Sequence, residues 1–161
     1  MNIFDYAIQM EQDGEKYYRE LAEKTSDKGL KNIFNMLADD EVKHREILQQ
    51  IKEKEDTSMA ETEILTESKN IFIEMQDQHK DLRTTEEEID LYREAKEIEQ
   101  KSVDFYKEKA AEVDLPEQKE ILEKIADEEK RHYHLLDNIE ELLLRPKQWV
   151  EDAEFYHLED Y

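Results

Sequence analysis

Residues 30–51 read LKNIFNMLADDEVKHREILQQI and decide the fold class. Residues separated by alternating steps of three and four share one face of a helix. In this stretch they are Leu30, Phe34, Leu37, Glu41, His44, Leu48 and Ile51. The face is apolar at both ends and carries Glu41 and His44 at its centre. The stretch therefore predicts a long amphipathic helix that brings two polar side chains into a core.

The same spacing recurs in three other segments of the chain. The first segment has Phe4, Ala7, Glu11, Gly14, Tyr18 and Leu21; the third has Tyr92, Ala95, Glu99, Ser102 and Tyr106; the fourth has Leu122, Ile125, Glu129, His132, Leu136, Ile139 and Leu143.

Ser26 or Asp27 is the expected N-cap of the second helix. Thr85 and Glu88 form a possible capping box before the third helix, Pro116 suits the first turn of the fourth, and Pro146 ends it. We predict an all-α four-helix bundle.

Composition excludes several other classes of protein. A chain of 161 residues is about one domain, and two glycines and two prolines leave too few turns for a β-sandwich. The net charge of −22 argues against nucleic acid and membrane surfaces as partners. The amino terminus lacks the basic and apolar pattern of a signal peptide, so we expect a cytoplasmic protein.

The chain order predicts how the helices are connected. We expect the bundle to occupy residues 1–145, with helical hairpins at 2–55 and 85–144. The intervening residues 56–84 are long enough to cross the bundle between the second and third helices. Residues 146–161 form an acidic, aromatic tail.

The two hairpins are an internal repeat with one offset. Glu99, Glu129 and His132 follow Glu11, Glu41 and His44 by the same 88 residues. Within each predicted hairpin, the two glutamates lie equally far from the turn, which places them at the same height in an antiparallel pair. The repeat predicts that Glu11, Glu41, His44, Glu99, Glu129 and His132 converge at one level of the bundle.

Such a group of side chains predicts a metal site. Four buried carboxylates repel one another and lose their hydration, and two divalent cations remove both costs. Carboxylate and imidazole ligands without thiolate suit iron or manganese better than a structural zinc site, although zinc can bind there. A metal-free interaction bundle stays open as an alternative.

Four motifs that span most of residues 3–144 resemble the rubrerythrin branch of the ferritin-like di-iron carboxylate proteins. They are Glu11-Gln-Asp-Gly-Glu-Lys-Tyr-Tyr18, Asp40-Glu41-Val-Lys-His44, Glu99-Gln-Lys-Ser-Val-Asp-Phe-Tyr106 and Glu128-Glu129-Lys-Arg-His132. The resemblance implies a ferritin-like fold that holds two iron ions. It implies Glu41 and Glu129 as bridging ligands, Glu11 and Glu99 as terminal ligands, and one histidine, His44 or His132, for each metal.

The resemblance also implies roles around the metal ligands. Tyr18 and Tyr106 fit the tyrosines that the family places one or two turns beyond each terminal glutamate, and we assign them a catalytic role. Asp40 and Glu128 lie where a carboxylate can orient the histidine of the opposite helix.

The chain departs from the family pattern at two points. Ser102, with Gly14 in the other half, stands where rubrerythrins have a further glutamate, and these small residues leave room for an oxidant. The chain has no cysteine, so it cannot hold the rubredoxin-like iron site of the family. We expect a stand-alone protein that takes electrons from a separate donor protein.

The expected function is that of a di-iron oxidoreductase that reduces hydrogen peroxide or O₂. The alternative is an iron-binding protein of the ferroxidase type that stores or sequesters iron. We also expect a homodimer.

Overall fold

The computed structural model describes residues 3–53, 64, 70, 71, 73 and 86–144. Four helices lie in these ranges: α1 (Ile3–Lys24), α2 (Lys28–Lys52), α3 (Glu86–Glu112) and α4 (Pro116–Leu144). No strand occurs in these same ranges. The prediction of an all-α four-helix bundle is confirmed.

Helix starts follow the local sequence. Asp27 is the N-cap of α2, where its side chain accepts a hydrogen bond of 3.0 Å from the backbone N–H of Leu30. Pro116 begins α4, since its fixed φ suits a first helical turn and its missing N–H has no helical partner there. The predicted capping residue Thr85 lies outside the described residues.

Ion pairs between helices show how the helices run. Lys52 at the end of α2 pairs with Asp5 at the start of α1 (2.5 Å), so these two helices are antiparallel. Arg93 near the start of α3 pairs with Glu140 near the end of α4 (2.9 Å), and the second hairpin is antiparallel too. Two antiparallel helix pairs, α1 with α2 and α3 with α4, therefore make up the bundle.

The hairpins pack with α1 beside α3 and α2 beside α4, both again antiparallel. Tyr6 of α1 contacts Phe105 of α3, with ring centroids 5.2 Å apart, and Lys43 of α2 pairs with Glu128 of α4 at 3.2 Å. It follows that α2 and α3 run in the same direction, and the end of α2 and the start of α3 lie at opposite ends of the bundle.

The predicted crossover 56–84 lies outside the described residues except at Ile64, Asn70, Ile71 and Ile73, and the predicted tail 146–161 lies wholly outside them. Ile64 is buried and Ile71 is half-buried, and both pack against the core near the first hairpin turn. None of the described helices has an apolar stretch long enough to cross a membrane.

The core consists of two apolar clusters separated by a polar layer. Around the first hairpin turn, large side chains such as Phe34, Tyr92 and Leu136 pack together. Around the second turn, Leu48, Leu122 and Ile125 form the other cluster. The buried polar residues of the repeat lie between the two clusters, where water is excluded on both sides.

Candidate metal centre

The polar layer brings together every residue that the repeat places at one level. Each of these residues is at most 3 % exposed: Glu11, Glu41, His44, Glu99, Glu129 and His132. They form two groups, each with ligand atoms within 4.8 Å of one another: Glu11, Glu41, His44 and Glu129 in one, and Glu41, Glu99, Glu129 and His132 in the other. Glu41 and Glu129 belong to both groups, so the two groups share a carboxylate pair.

Helical geometry explains this convergence. Glu41 and His44 are three residues apart on α2, as Glu129 and His132 are on α4, so each pair projects from one side of its helix. Glu11 of α1 and Glu99 of α3 lie at the same height on the helices that complete the bundle. Each group draws ligand atoms from three helices.

The histidines are held in one orientation by carboxylates from the opposite hairpin. His44 donates from Nε2 to Glu128 at 2.8 Å, and His132 donates from Nε2 to Asp40 at 2.9 Å. In each ring, Nδ1 then faces the carboxylate layer: His44 Nδ1 lies 3.0 Å from Glu129 Oε1, and His132 Nδ1 lies 3.2 Å from Glu41 Oε1. Asp40 and Glu128 thus lie where they can orient the metal-facing nitrogen.

The two tyrosines bind carboxylates of the opposite half. Tyr106 donates its hydroxyl to Glu11 Oε1 at 2.5 Å, and Tyr18 donates its hydroxyl to Glu99 Oε1. The resemblance implies a tyrosine that follows each terminal glutamate along its own helix. Tyr18 and Tyr106 have that position, and each hydroxyl contacts the glutamate on the neighbouring helix, because α1 and α3 are antiparallel and side by side.

Burial among like charges dominates the electrostatics of the layer. Burial, together with the negative charges of Glu11 and Glu129, raises the pKa of the Glu41 carboxyl well above its usual range. Burial and the charges of Glu99 and Glu11 raise the pKa of Glu129 in the same way. Without a cation, burial and the neighbouring charges therefore favour the protonated forms of the two shared carboxyl groups.

Other groups in the layer respond differently to the same burial. Burial opposes the charged form of His44, but Glu11, Glu128 and Glu129 together outweigh it, and the pKa of His44 lies well above its usual range. Burial also raises the pKa of Glu11, yet contacts with Glu41 and His44 outweigh it and leave the pKa below its usual value. Burial raises the pKa of Tyr18 and Tyr106 well above 10, so both stay protonated phenols.

Unpaired atoms show that the layer fits cations. The following buried side-chain atoms make no hydrogen bond: Glu11 Oε2, Glu41 Oε1, His44 Nδ1, Glu99 Oε2 and Glu129 Oε1. Buried polar atoms are almost always hydrogen-bonded, so a cluster of unpaired buried atoms calls for another partner. Oxygen and imidazole donors suit iron or manganese, and two such ions would both neutralise the carboxylates and satisfy these atoms.

Sequence reasoning missed how closely the backbone approaches the site. A Cβ atom at Gly14 would lie 2.9 Å from Glu41 Oε2, so the bare α1 backbone borders this carboxylate. Gly14 and Ser102 also line a pocket between α1 and α3, together with Tyr17 and Phe105. One feature of the sequence could have indicated this pocket. Tyr17 and Phe105 are aromatic residues at equivalent positions of the repeat, one residue before Tyr18 and Tyr106.

This fold and this layer define a class of protein: four-helix bundles with a carboxylate and histidine site that can hold metal at their centre. The family model described as Rubrerythrin matches residues 2–140, and the chain belongs to the rubrerythrin family. Membership in this family implies metal binding, usually of iron. No curated protein and no solved structure matches the chain.

Proposed function

We propose that the chain is a di-iron carboxylate oxidoreductase that reduces hydrogen peroxide or O₂ with electrons from a separate donor protein. One observation supports the proposal above others: Glu41 and Glu129 belong to both ligand groups. Carboxylates shared between two groups are suited to bridge two ions, and two ferrous ions could together supply the two electrons that reduction of a peroxide O–O bond consumes.

Each ion would have its own ligands besides the shared pair. Glu11 and His44 would hold one iron, and Glu99 and His132 the other. Manganese or zinc can bind the same donor set. Two ferrous ions held by these residues would supply the two electrons for the reduction, and the donor protein would restore them.

The protein's own residues position protons and exclude water. Tyr106 and Tyr18 present phenolic protons to Glu11 and Glu99, and their raised pKa keeps these protons on the hydroxyls at neutral pH. We assign the tyrosines the role of proton donors through these carboxylates, since reduction of an O–O bond consumes protons. The apolar clusters on both sides keep bulk water from the layer.

The acidity of the chain favours a second candidate, an iron-sequestering protein of the ferroxidase type. A net charge of −22 attracts Fe²⁺ toward the surface and raises its local concentration. In that case iron is the cargo, and iron in excess of the two bound ions should remain with the protein after oxidation.

Anaerobic loading with Fe²⁺ followed by rapid mixing with hydrogen peroxide tests the proposal. We expect about one peroxide consumed for every two irons, and continued consumption when a chemical reductant is present. Glu41→Ala should abolish both, while Glu46→Ala, an exposed glutamate on the same helix, should change neither. Retention of many irons per chain with no sustained peroxide consumption would favour sequestration instead. The donor protein and the homodimer stay predictions.

A further inference from the structure

A pocket of about 360 Å³ lies between α1 and α3, outside the six-residue layer. One face of each helix lines it. Its residues include Met10, Gly14 and Tyr17 on α1 and Ile98, Ser102 and Phe105 on α3. The spacing of three, four or seven residues on each helix makes the pocket continuous along several turns.

The inner wall of the pocket adjoins the candidate metal centre. Gly14 and Ser102 are both buried, and each lies one turn after a terminal glutamate of the layer. The Gly14 backbone also borders the carboxylate of Glu41. Gly14 therefore lies between the pocket and the carboxylate of Glu41.

The pocket is too large and too apolar for a small oxidant alone. Met10, Ile98 and Phe105 give it hydrophobic walls, whereas the charged side chains of Asp13 and Lys101 are exposed to solvent. Pockets that bind organic molecules typically have volumes of roughly 300–1,000 Å³ and mostly apolar linings.

We propose that the pocket binds the organic group of a hydroperoxide, ROOH, and so makes organic hydroperoxides a substrate class of this protein. The apolar group R packs against Met10, Ile98 and Phe105, and the peroxide oxygens lie at Gly14 and Ser102. This inference rests on the proposed reductase function. The reaction breaks the O–O bond, and with two electrons from the donor protein and two protons it yields the alcohol ROH and water.

The first test uses metal-free protein and the alcohol that such a reaction would release. Cumyl alcohol, the product from cumene hydroperoxide, is titrated into the full chain while amide NMR spectra are recorded. We expect saturable shifts of the Gly14 and Ser102 amides. Ile98→Trp, which fills the pocket from its apolar wall, should weaken binding at least tenfold. Leu115→Trp, at an exposed residue of the turn before α4, should leave it unchanged.

The second test compares two peroxides on the iron-loaded protein. We expect Ile98→Trp to lower the ratio of kcat/KM for cumene hydroperoxide to kcat/KM for hydrogen peroxide at least tenfold, and Leu115→Trp to preserve it. If Ile98→Trp does not fold, Met10→Trp fills the same pocket from α1.

Several results would overturn the inference. Reduction of hydrogen peroxide without alcohol-induced shifts at Gly14 and Ser102 would reject the pocket and leave the proposed function intact. Shifts that depend on protein concentration rather than on alcohol would show that a second copy of the chain covers the pocket. Alcohol binding without reduction of either peroxide would contradict the proposed function and the hydroperoxide assignment together.

Discussion

At the scale of single residues, the backbone at Gly14 closely approaches the candidate metal site. Glycine within a helix lowers stability by about 1 kcal/mol relative to alanine, so its presence in the middle of α1 needs a reason. The reason is Glu41, whose Oε2 a Cβ atom at position 14 would approach to 2.9 Å. A methyl group there has to displace a carboxylate that belongs to both ligand groups.

We therefore expect Gly14→Ala to weaken metal binding without lowering the stability of the metal-free protein. The metal-free protein should unfold at the same or a slightly higher temperature, because alanine favours the helix. Its affinity for Mn²⁺, an oxygen-insensitive probe of the site, should fall at least tenfold in a calorimetric titration. Gly29→Ala in the first turn of α2 is the matched control and should keep the affinity. Equal affinities in the two variants would contradict the account of Gly14.

Asp40 provides a second residue-scale prediction because it holds His132 in place by a 2.9 Å hydrogen bond. Carboxylates that orient metal-binding histidines typically contribute a factor of about 10 to 100 in metal affinity. Asp40→Ala should weaken Mn²⁺ binding by a factor in that range. Asp39→Ala removes the same charge from the preceding residue. Asp39 pairs with Arg19 at the surface, so this variant should have little effect on Mn²⁺ binding. The idea fails if both variants bind Mn²⁺ as tightly as the parent chain.

The convergence of the layer could be predicted from sequence, whereas the contacts of the tyrosines could not. Equal distances from a hairpin turn place Glu11 and Glu41 at one height whatever the side-chain details. Which glutamate Tyr18 reaches depends on how α1 packs against α3, and spacing along one helix does not contain that information. Glu128 differs, because the family resemblance already placed it where a carboxylate can orient the histidine of the opposite helix, and it lies 2.8 Å from His44 Nε2.

At the scale of elements, the starts of α2 and α4 are equivalent in the repeat but capped differently. The backbone carbonyls of Asp27 and Leu115 accept the first helical hydrogen bonds, from Lys31 and Lys119, each at 3.0 Å. Asp27 also caps with its side chain, at Leu30. Leu115 has no polar side chain to do so and is 58 % exposed.

Exchanging the capping residues should shift stability in opposite directions. Asp27→Ala is expected to lower the free energy of unfolding by about 1 kcal/mol, and Leu115→Asp to raise it by up to about 1 kcal/mol. Urea unfolding of the metal-free protein measures both, and Mn²⁺ affinity should stay unchanged because neither residue touches the layer. A stabilising Asp27→Ala would show that capping does not explain the start of α2.

Helix positions were predictable because the periodic pattern is long and uninterrupted, but the pocket between α1 and α3 was not. Small residues at Gly14 and Ser102 predict space near the site. The volume of the pocket depends on how far apart α1 and α3 lie, which the pattern of buried residues within each helix does not specify.

At the scale of the whole molecule, the polar layer makes the stability of the metal-free protein depend on pH. Glu41, Glu129, His44 and His132 all have a pKa above the value of the unfolded chain. The folded state then binds more protons than the unfolded state, so the stabilisation is complete below the unfolded values and is lost as pH rises. Glu11 and Glu128 have lowered pKa values and act in the opposite sense only below their usual range.

The melting temperature of the metal-free protein should accordingly fall between about pH 5 and about pH 8. The double variant Glu41→Gln and Glu129→Gln should show a shallower fall, since its shared side chains carry no charge at any pH. Bound Mn²⁺ should reduce or reverse the slope because metal ligands must lose their protons. A metal-free protein that becomes more stable across this range would contradict the description of the layer.

The most direct test of the central claim is the metal content of the protein after anaerobic loading with Fe²⁺ and removal of free iron. The account predicts about two irons per chain. It predicts a large loss in Glu41→Ala, whose side chain serves both ligand groups, and retention of one iron or fewer in His132→Ala. Undetectable binding of iron and manganese by a chain that folds as described would contradict it, and the layer would then be a protonated polar core.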